Sequence, residues 1–435
     1  MKRAPIVYLP MEFAAREFEG KALIAATLAK RGYGVLFGEQ WTIGTNFQRL
    51  PPGAVLFKSF NTLHRPAMTA ARTYGHNVFV LEEELLARTD AKSIAGFCAE
   101  GIFDAPDVIL TNSAFEKEVL TRVAPRPPKI EVCGNPRVDI LKPSHRAFFK
   151  RDIDAVRARF GDFVLVNTNF GVINSFCVDL EEVTRIHVQS GFVRPGDPDS
   201  VREWSDHIEF EQLNKAAMTT AIIDLSRRKP ALNIVLRPHP AEAVERWDGV
   251  FSDCPNVAVV REGPHVPWTL ACNLLLHTSC TTGFEAYVGG KTALSLVAKP
   301  NWISQSFISN RLNPVFTDPL KLVDAAQSYL ETGEVPVGAL KAAEAEHFVW
   351  NIGDKNAANR IATLLTRDLP APRGKVALPA LQLFDRQPQH KKKFSLSIAD
   401  CADAVGRIFA IIGQPPPINL DQVGDSLFYF SPASK

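Results

Sequence analysis

The sequence has no pair of cysteines at metal-binding or redox spacing: its seven cysteines lie far apart, none in a C-x-x-C. An odd, scattered set argues against a disulfide framework and against structural zinc. No G-x-G-x-x-G follows the first apolar run, which weighs against a dinucleotide enzyme, and a Walker spacing is missing too. No H-E-x-x-H or dense carboxylate–histidine spacing points to a built-in metal, and no cofactor is expected. Charge of one sign is not in surplus. The 49 Lys and Arg against 47 Asp and Glu leave +2, too even for a chain whose main partner is nucleic acid. Long apolar runs are missing as well, and Glu12, Arg16 and Glu17 soon interrupt the first one, Ile6 to Pro10. The expectation is a soluble cytoplasmic protein.

What is present is a globular balance. With 46% hydrophobic and 22% charged residues the chain can bury a large core, and 435 residues suggest two or three domains. The 31 prolines outnumber the 26 glycines, so loops should be rigid rather than flexible.

Short apolar runs alternate with amphipathic segments. Ile6–Leu9, Gly34–Gly38, Val55–Lys58, Val78–Leu81, Val108–Thr111 and Ile130–Cys133 read as strands, with a helix from Phe18 stopped at Gly32. Ser113 and Glu116 form a capping-box pattern. The alternation restarts at Phe163–Asn167 and continues through Asn233–Arg237, Val257–Val260, Leu274–His277 and Thr292–Leu296. Strands joined by helical crossovers mean parallel sheets covered on both faces. The expected plan is α/β: an N-terminal Rossmann-like domain over 1–143, a bridging helix over 144–160, a second over 161–365, and a tail over 366–435. The tail holds eight of the prolines and a charge surplus of +3. Its Ser395–Ile412 stretch predicts a helix with Ile398, Ala402, Val405, Phe409 and Ile412 on one face.

Ligands of open parallel sheets bind beyond the carboxyl ends of the strands. After the first strand comes Glu12, a candidate acid–base carboxylate, whereas Glu17 reads more readily as a solvated helix-start charge. Glu82, Glu83 and Glu84 follow Val78–Leu81 directly, and if they converge at least one should have a raised pKa; a solvated acidic turn is the alternative. In Arg237-Pro-His-Pro240 two prolines hold a turn that carries Arg237 and His239 toward a phosphate or ribose, or His239 merely bonds backbone. Leu274 to Glu285 is a strand, five small or polar residues, and a helix start. Ser279, Thr281 and Thr282 offer hydroxyls beside its unpaired N–H groups, or one threonine is an ordinary N-cap. Cys280 has no local partner for thiol chemistry, and His277 reads as a satisfied core histidine. Asn167, Asn169 and Asn174 end another strand, where amides suit sugar hydroxyls, a phosphate or simply a turn.

Taken in order, several stretches resemble the bacterial surface carbohydrate biosynthesis proteins: Tyr8-Leu-Pro-Met-Glu with Arg16-Glu17, Lys30-Arg-Gly-Tyr-Gly-Val, Gly75 to Glu84, Gly134-Asn-Pro-Arg-Val-Asp139 and Leu165 to Phe170. The resemblance spans roughly residues 5 to 365 and implies two Rossmann-like domains facing a cleft, as in GT-B glycosyltransferases. Arg237-Pro-His-Pro240 and His277 to Thr282 are similar to the HP and serine motifs of bacterial sialyl- and Kdo-transferases and glycerophosphate polymerases. That likeness implies a CMP- or CDP-linked donor with His239, Ser279 and Thr281 near its phosphate. Cys280 departs from it, standing where a second serine is common.

The leading expectation is therefore a glycosyltransferase moving a sugar from a CMP-linked donor to a surface or capsular glycan or glycolipid. Glu12, Glu82 or Glu83 would be base or nucleophile, and Asn167, Asn169, Arg237, His239, Pro240, Ser279, Thr281 and Thr282 would bind the nucleotide. A base gives inversion at the sugar and a covalent intermediate retention, and both stay open. The alternatives are a nucleotide-sugar 2-epimerase and a non-catalytic scaffold of a polysaccharide assembly complex. For the tail, Lys391–Lys393 and the amphipathic helix suggest peripheral contact with an anionic inner membrane, against a helix packed on the body.

Overall fold

The structure, a computed structural model, describes residues 3–433 apart from 62, 99–100, 125, 127, 177, 190, 335–337, 339, 383, 385–392 and 416. The apolar runs are strands buried on both faces. β1 (Ile6–Met11), β2 (Gly34–Glu39), β3 (Ala54–Phe57), β4 (Asn77–Leu81), β5 (Val108–Thr111) and β6 (Lys129–Val132) pair in parallel in the order β2-β1-β3-β4-β5-β6. A second parallel sheet comprises β7 (Phe163–Asn167), β8 (Asn233–Arg237), β9 (Val257–Val259), β10 (Leu274–His277), β11 (Ala293–Leu296) and β12 (Val315–Phe316). Its order is β12-β11-β10-β7-β8-β9. The helix Ala14–Lys30 stops where Gly32 takes φ +85°, as its sequence predicts.

The chain divides into two compact units, Phe149–Lys341 and a discontinuous one of Met1–Phe148 with Ala342–Lys435. This differs from the expected boundaries. The predicted bridging helix over 144–160 is a 3-10 turn, Pro143–Phe149, followed by the helix Lys150–Phe160 that opens the continuous unit. The expected second domain over 161–365 runs too far, because the chain returns to the first unit before its last helix, Ala357–Thr366. Asp139 Oδ2 accepts from Ala358 N at 2.8 Å, Asn351 donates to Asp139 Oδ1 at 2.7 Å, and Arg31 reaches Thr363 Oγ1 at 3.0 Å. Asp139 belongs to the Gly134–Asp139 motif, so part of that motif serves as the anchor for the returning chain.

The tail is no separate appendage. β13 (Ile418–Gly424) and β14 (Leu427–Pro432) form an antiparallel hairpin, and β14 pairs antiparallel with β2, placing Phe428 opposite Phe37. The hairpin extends the first sheet to eight strands. Phe428 and Phe430 are fully buried, and the Phe430 ring stacks on Phe37 with centroids 5.5 Å apart. Burying two such rings is worth about 2 kcal/mol each. Gly38 makes the approach feasible: its φ is +137°, and a Cβ there would meet the Ser426 carbonyl oxygen at 2.1 Å.

The helix Ile398–Ile412, opened by a Ser397/Asp400 capping box, packs on Ala14–Lys30. It buries Cys401, Ala404, Val405, Ile408 and Phe409, while Ile398 and Ala402 of the expected face are exposed. The helix is apolar around much of its circumference, and the neighbouring helix selects which stripe is covered. Of the expected face, Val405 and Phe409 are thus covered by protein. Lys391 and Lys392 of the expected basic cluster lie outside the described residues. Among the described residues no helix is long and apolar enough to cross a membrane.

Candidate functional site

In the first sheet the order of winding reverses between β1 and β3, the place where open sheets bind ligands. The turns after β1, β3 and β4 surround a pocket there of about 440 Å³, open solvent included, lined by residues such as Lys58, Ser59, Glu82, Glu83 and Arg137. Glu82 is buried and accepts from Ser59 Oγ at 2.6 Å, Phe60 N at 3.2 Å and Glu84 N at 3.3 Å. Burial pushes its carboxyl up to about 7 despite these bonds. Glu83 is half-buried in the lining, and there too burial raises the carboxyl, with Lys21 opposing. All three carboxylates line the pocket, but Glu84 is exposed and pairs with Arg16 at 2.8 Å. Loss of water, not mutual repulsion, is the leading cause of both shifts.

Glu12 sits at the mouth, paired with Lys58 at 2.5 Å and with Lys393. Burial raises its carboxyl, but bonds from Lys393 and Lys58 outweigh this and hold it below the ordinary range. Glu17 is not the solvated charge its helix-start position suggests. It is buried, accepts from Glu12 N at 3.1 Å and Phe13 N at 2.8 Å, and pairs with Lys21 at 2.6 Å. Sequence reasoning passed over Lys21 and Lys58, and read Lys393 only as part of a membrane-facing cluster. Lys58 had a usable signal, because it directly follows a buried strand.

In the second sheet the reversal lies between β7 and β10. Ser295, His277, Asn167 and Arg237 stand in register across β11, β10, β7 and β8, a row of four buried polar residues at the carboxyl ends. His277 is core, as expected, but not satisfied: neither ring nitrogen has a partner among the described residues, and burial drives its pKa to about 3. The buried Asn167 Nδ2 also lacks a partner among the described residues. Arg237 has partners within the protein. Its Nη atoms donate to the carbonyls of Glu262 at 2.7 Å and Gly263 at 3.0 Å, and its guanidinium lies 4.5 Å from the Trp268 ring centre. Burial lowers its pKa to about 10. The side chain pins a loop, so those donors are committed.

Three turns are tied together at this edge. Asn169 Nδ2 donates to the Ser279 carbonyl at 3.5 Å. Buried Glu242 accepts from Thr168 Oγ1 at 2.6 Å, Asn174 Nδ2 at 3.0 Å, Phe170 N and His239 N at 3.1 Å, and Trp247 Nε1 at 3.3 Å. It thereby joins the turn after β7 to the turn carrying His239. Sequence reasoning missed Glu242, for no motif spacing marks it. His239 Nδ1 accepts from Ala241 N at 3.2 Å, which leaves the proton of a neutral ring on Nε2. Pro240 is exposed and receives Arg261 on its carbonyl.

Ser279 is buried at φ +45°, a region a serine seldom adopts, and its Oγ accepts from Asn310 Nδ2 at 2.8 Å. The helix Thr281–Val288 begins just after it. Its N-cap is Cys280, with no side-chain cap bond, so neither Thr281 nor Thr282 is the cap. Thr281 is exposed, and Thr282 Oγ1 donates to Cys280 Sγ at 3.3 Å. Burial raises the Cys280 thiol, the opposite of what a nucleophile needs. A further pair, His265 Nε2 and the buried Glu285 carboxylate at 2.5 Å, was not foreseen.

Two doubly wound units with these strand orders make a fold of the GT-B type. A UDP-GlcNAc 2-epimerase from Methanocaldococcus jannaschii superposes with a TM-score of 0.52 at 12% identity, covering 84% of this chain and 100% of that one. The same enzyme in complex with UDP-GlcNAc and UDP gives 0.50 at 12% identity over the same shares. The wall teichoic acid polymerase TagF gives 0.49 at 10% identity, over 84% and 89%. At such identities the likeness is one of fold. No known family's sequence profile matches the chain, and no curated protein matches it.

Proposed function

We propose that the protein is a glycosyltransferase that moves a sugar from a nucleotide-activated donor to a surface glycan or glycolipid. The observation that carries this is the edge of the second sheet, where Asn169 and Glu242 tie the turns after β7, β8 and β10 together. The helix start beside Ser279 has no side-chain cap, so its first N–H groups and positive dipole end suit a phosphate. His239 Nε2–H is a further donor for the charge that develops on the leaving phosphate, the kind of preorganised contact that speeds such reactions. Asn167, Ser279, Thr281 and Thr282 surround the same turn, and Arg237 acts through the loop it pins. The likeness of the motifs favours cytidine, as CMP or CDP.

In this reading the first unit takes the acceptor. Of the three carboxylates, Glu82 and Glu83 line the pocket, and Glu83 is the candidate base, because Glu82 is engaged by Ser59, Phe60 and Glu84 and Glu12 is ion-paired. A peripheral inner-membrane contact would rest on the lysine cluster and the exposed Ile398 and Ala402, since Val405 and Phe409 of the helix are buried. The 2-epimerase reading has the fold likeness in its favour.

Thermal shift with CMP, CDP, UDP and GDP tests the donor side, since a ligand of the native state raises apparent stability. Cytidine nucleotides should stabilise most; stabilisation by UDP alone would overturn the cytidine assignment. Turnover of a nucleotide sugar to its epimer without any acceptor would establish the epimerase instead. Unchanged polysaccharide production in Glu83→Gln and His239→Ala cells would leave only a scaffold.

A further inference from the structure

The pocket of the first unit has a rim that comes from the far end of the chain. Lys393 pairs with Oε1 of Glu12, and its ammonium lies 4.3 Å from the centre of the Phe13 ring. Lys58 binds Oε2 of the same carboxylate at 2.5 Å and approaches the same ring to 5.3 Å. The Arg16 guanidinium is 6.0 Å from it. A 38%-exposed aromatic ring is thus flanked by cations from the β1 turn, the β3 turn and the tail.

The C-terminal strap that carries Lys393 has described partners at Gln382 before it and at Leu396 and Ser397 after it. Before it, Gln382 N donates to Asn46 Oδ1 and Asn46 Nδ2 to the Gln382 carbonyl, each at 2.8 Å. After it, Leu396 N donates to Ser426 Oγ at 3.0 Å and Ser397 caps the following helix.

The charges do not balance there. Glu17 is already matched by Lys21 at 2.6 Å, and Glu84 by Arg16 at 2.8 Å. The single carboxylate of Glu12 is shared by two lysines, so the cluster of Lys21, Lys58 and Lys393 against Glu12 and Glu17 carries one excess positive charge. Burial raises the carboxyls of Glu82 and Glu83 to about 7, so the excess stands in mildly acidic solution, where both hold their protons, and is offset as pH rises through 7; the site is therefore tested at about pH 6. Partial burial weakens solvent screening, and an ammonium with a shared counterion attracts a second anion.

We infer that this mouth is an anion site, completed by Lys393 of the C-terminal strap, for a carboxylate or phosphate carried by the acceptor. The inference rests on reading the first unit as the acceptor side. The incoming anion takes the place of Glu12 as counterion to Lys393, while the Phe13 ring offers an apolar face to the attached sugar or glycerol. No bond is made or broken in this step.

Calorimetric titration of the full chain at low salt tests it, with glucuronate and glycerol 3-phosphate as anionic probes and glucose and glycerol as neutral ones. At least one anionic probe should bind while the neutral ones do not. Lys393→Gln should weaken that binding about tenfold, and Lys393→Arg should restore it. Binding of glucuronate alone assigns a carboxylate, and of glycerol 3-phosphate alone a phosphate. Should Lys393→Gln shift the thermal midpoint, the salt dependence decides: wild-type binding must weaken as ionic strength rises. Equal binding by wild type and Lys393→Gln, equal binding of glucose and glucuronate, or no binding of either anion would overturn the inference. Nucleotide binding, measured alongside, reports separately on the transferase reading.

Discussion

The imidazole of His277 lies so close to Gly283 that a Cβ added to the glycine would sit 2.2 Å from Nε2. The ring occupies the space under the first turn of the helix Thr281–Val288, and only a glycine lets that helix come down onto β10. Gly283→Ala should therefore push the helix start away, costing about 2–3 kcal/mol. Urea denaturation reads the loss, and nucleotide-induced stabilisation should weaken with it. An unchanged midpoint would show that the two groups do not touch.

Glu242 holds five donors, so truncating it strands them in a buried site. Glu242→Ala should destabilise the protein by about 3 kcal/mol or more. Glu242→Gln, which retains two polar atoms but turns one into a donor, should fold more stably than the alanine variant and still lose nucleotide affinity, because the His239 turn is no longer held. Equal affinity in Glu242→Gln and wild type would separate Glu242 from the site.

Burial raises the carboxyls of Glu116 to about 8 and Glu82 to about 7. Both are protonated in the native state at pH values where the unfolded chain has lost the proton. Their stabilising share is full below the unfolded value, roughly 4.3, and is lost as pH rises through the folded values. Unfolding free energy should thus carry a downward component between about pH 5 and 8. Glu116→Gln removes one source of it, so the difference between variant and wild type should grow in the variant's favour with pH. Parallel curves would mean that Glu116 is ionised throughout.

Removing everything after Thr366 takes away β14 and bares β2 along with Phe37. An unpaired apolar strand edge invites association. The truncated protein should be insoluble or show a lowered apparent Tm, in the absence of any membrane. Equal thermal stability of the full and shortened chains would mean that the hairpin does not support the first sheet.

Most of the parallel framework was legible in sequence because buried parallel strands are continuous apolar runs, as Phe163–Asn167 and Leu274–His277 show. The hairpin was not, for β13 reads Ile-Asn-Leu-Asp-Gln-Val-Gly, half polar and half exposed, and prolines precede it. The capping residue Ser113 was legible, with its Oγ 3.0 Å from Glu116 N, but Glu116 turns to Asn112 N and Nδ2 instead of reaching back to Ser113. At the sites, chain position identified which turns matter. Partner choice was beyond reach: Arg237 is spent on two carbonyls, Glu17 on backbone N–H groups, and Lys393 meets Glu12 only because a strap returns. Contacts set by tertiary return leave no local pattern.

The pairing of Phe37 with Phe428 also orders events during synthesis. Phe37 must wait while roughly 390 further residues are made, which at 5–20 residues per second is about 20–80 s. The unit Phe149–Lys341 is uninterrupted in sequence and can collapse within that interval. The first-made strands, by contrast, are finished last. Until Phe428 leaves the ribosome, β2 is the open border of an incomplete sheet, and that border is the part of the first unit most in need of a chaperone.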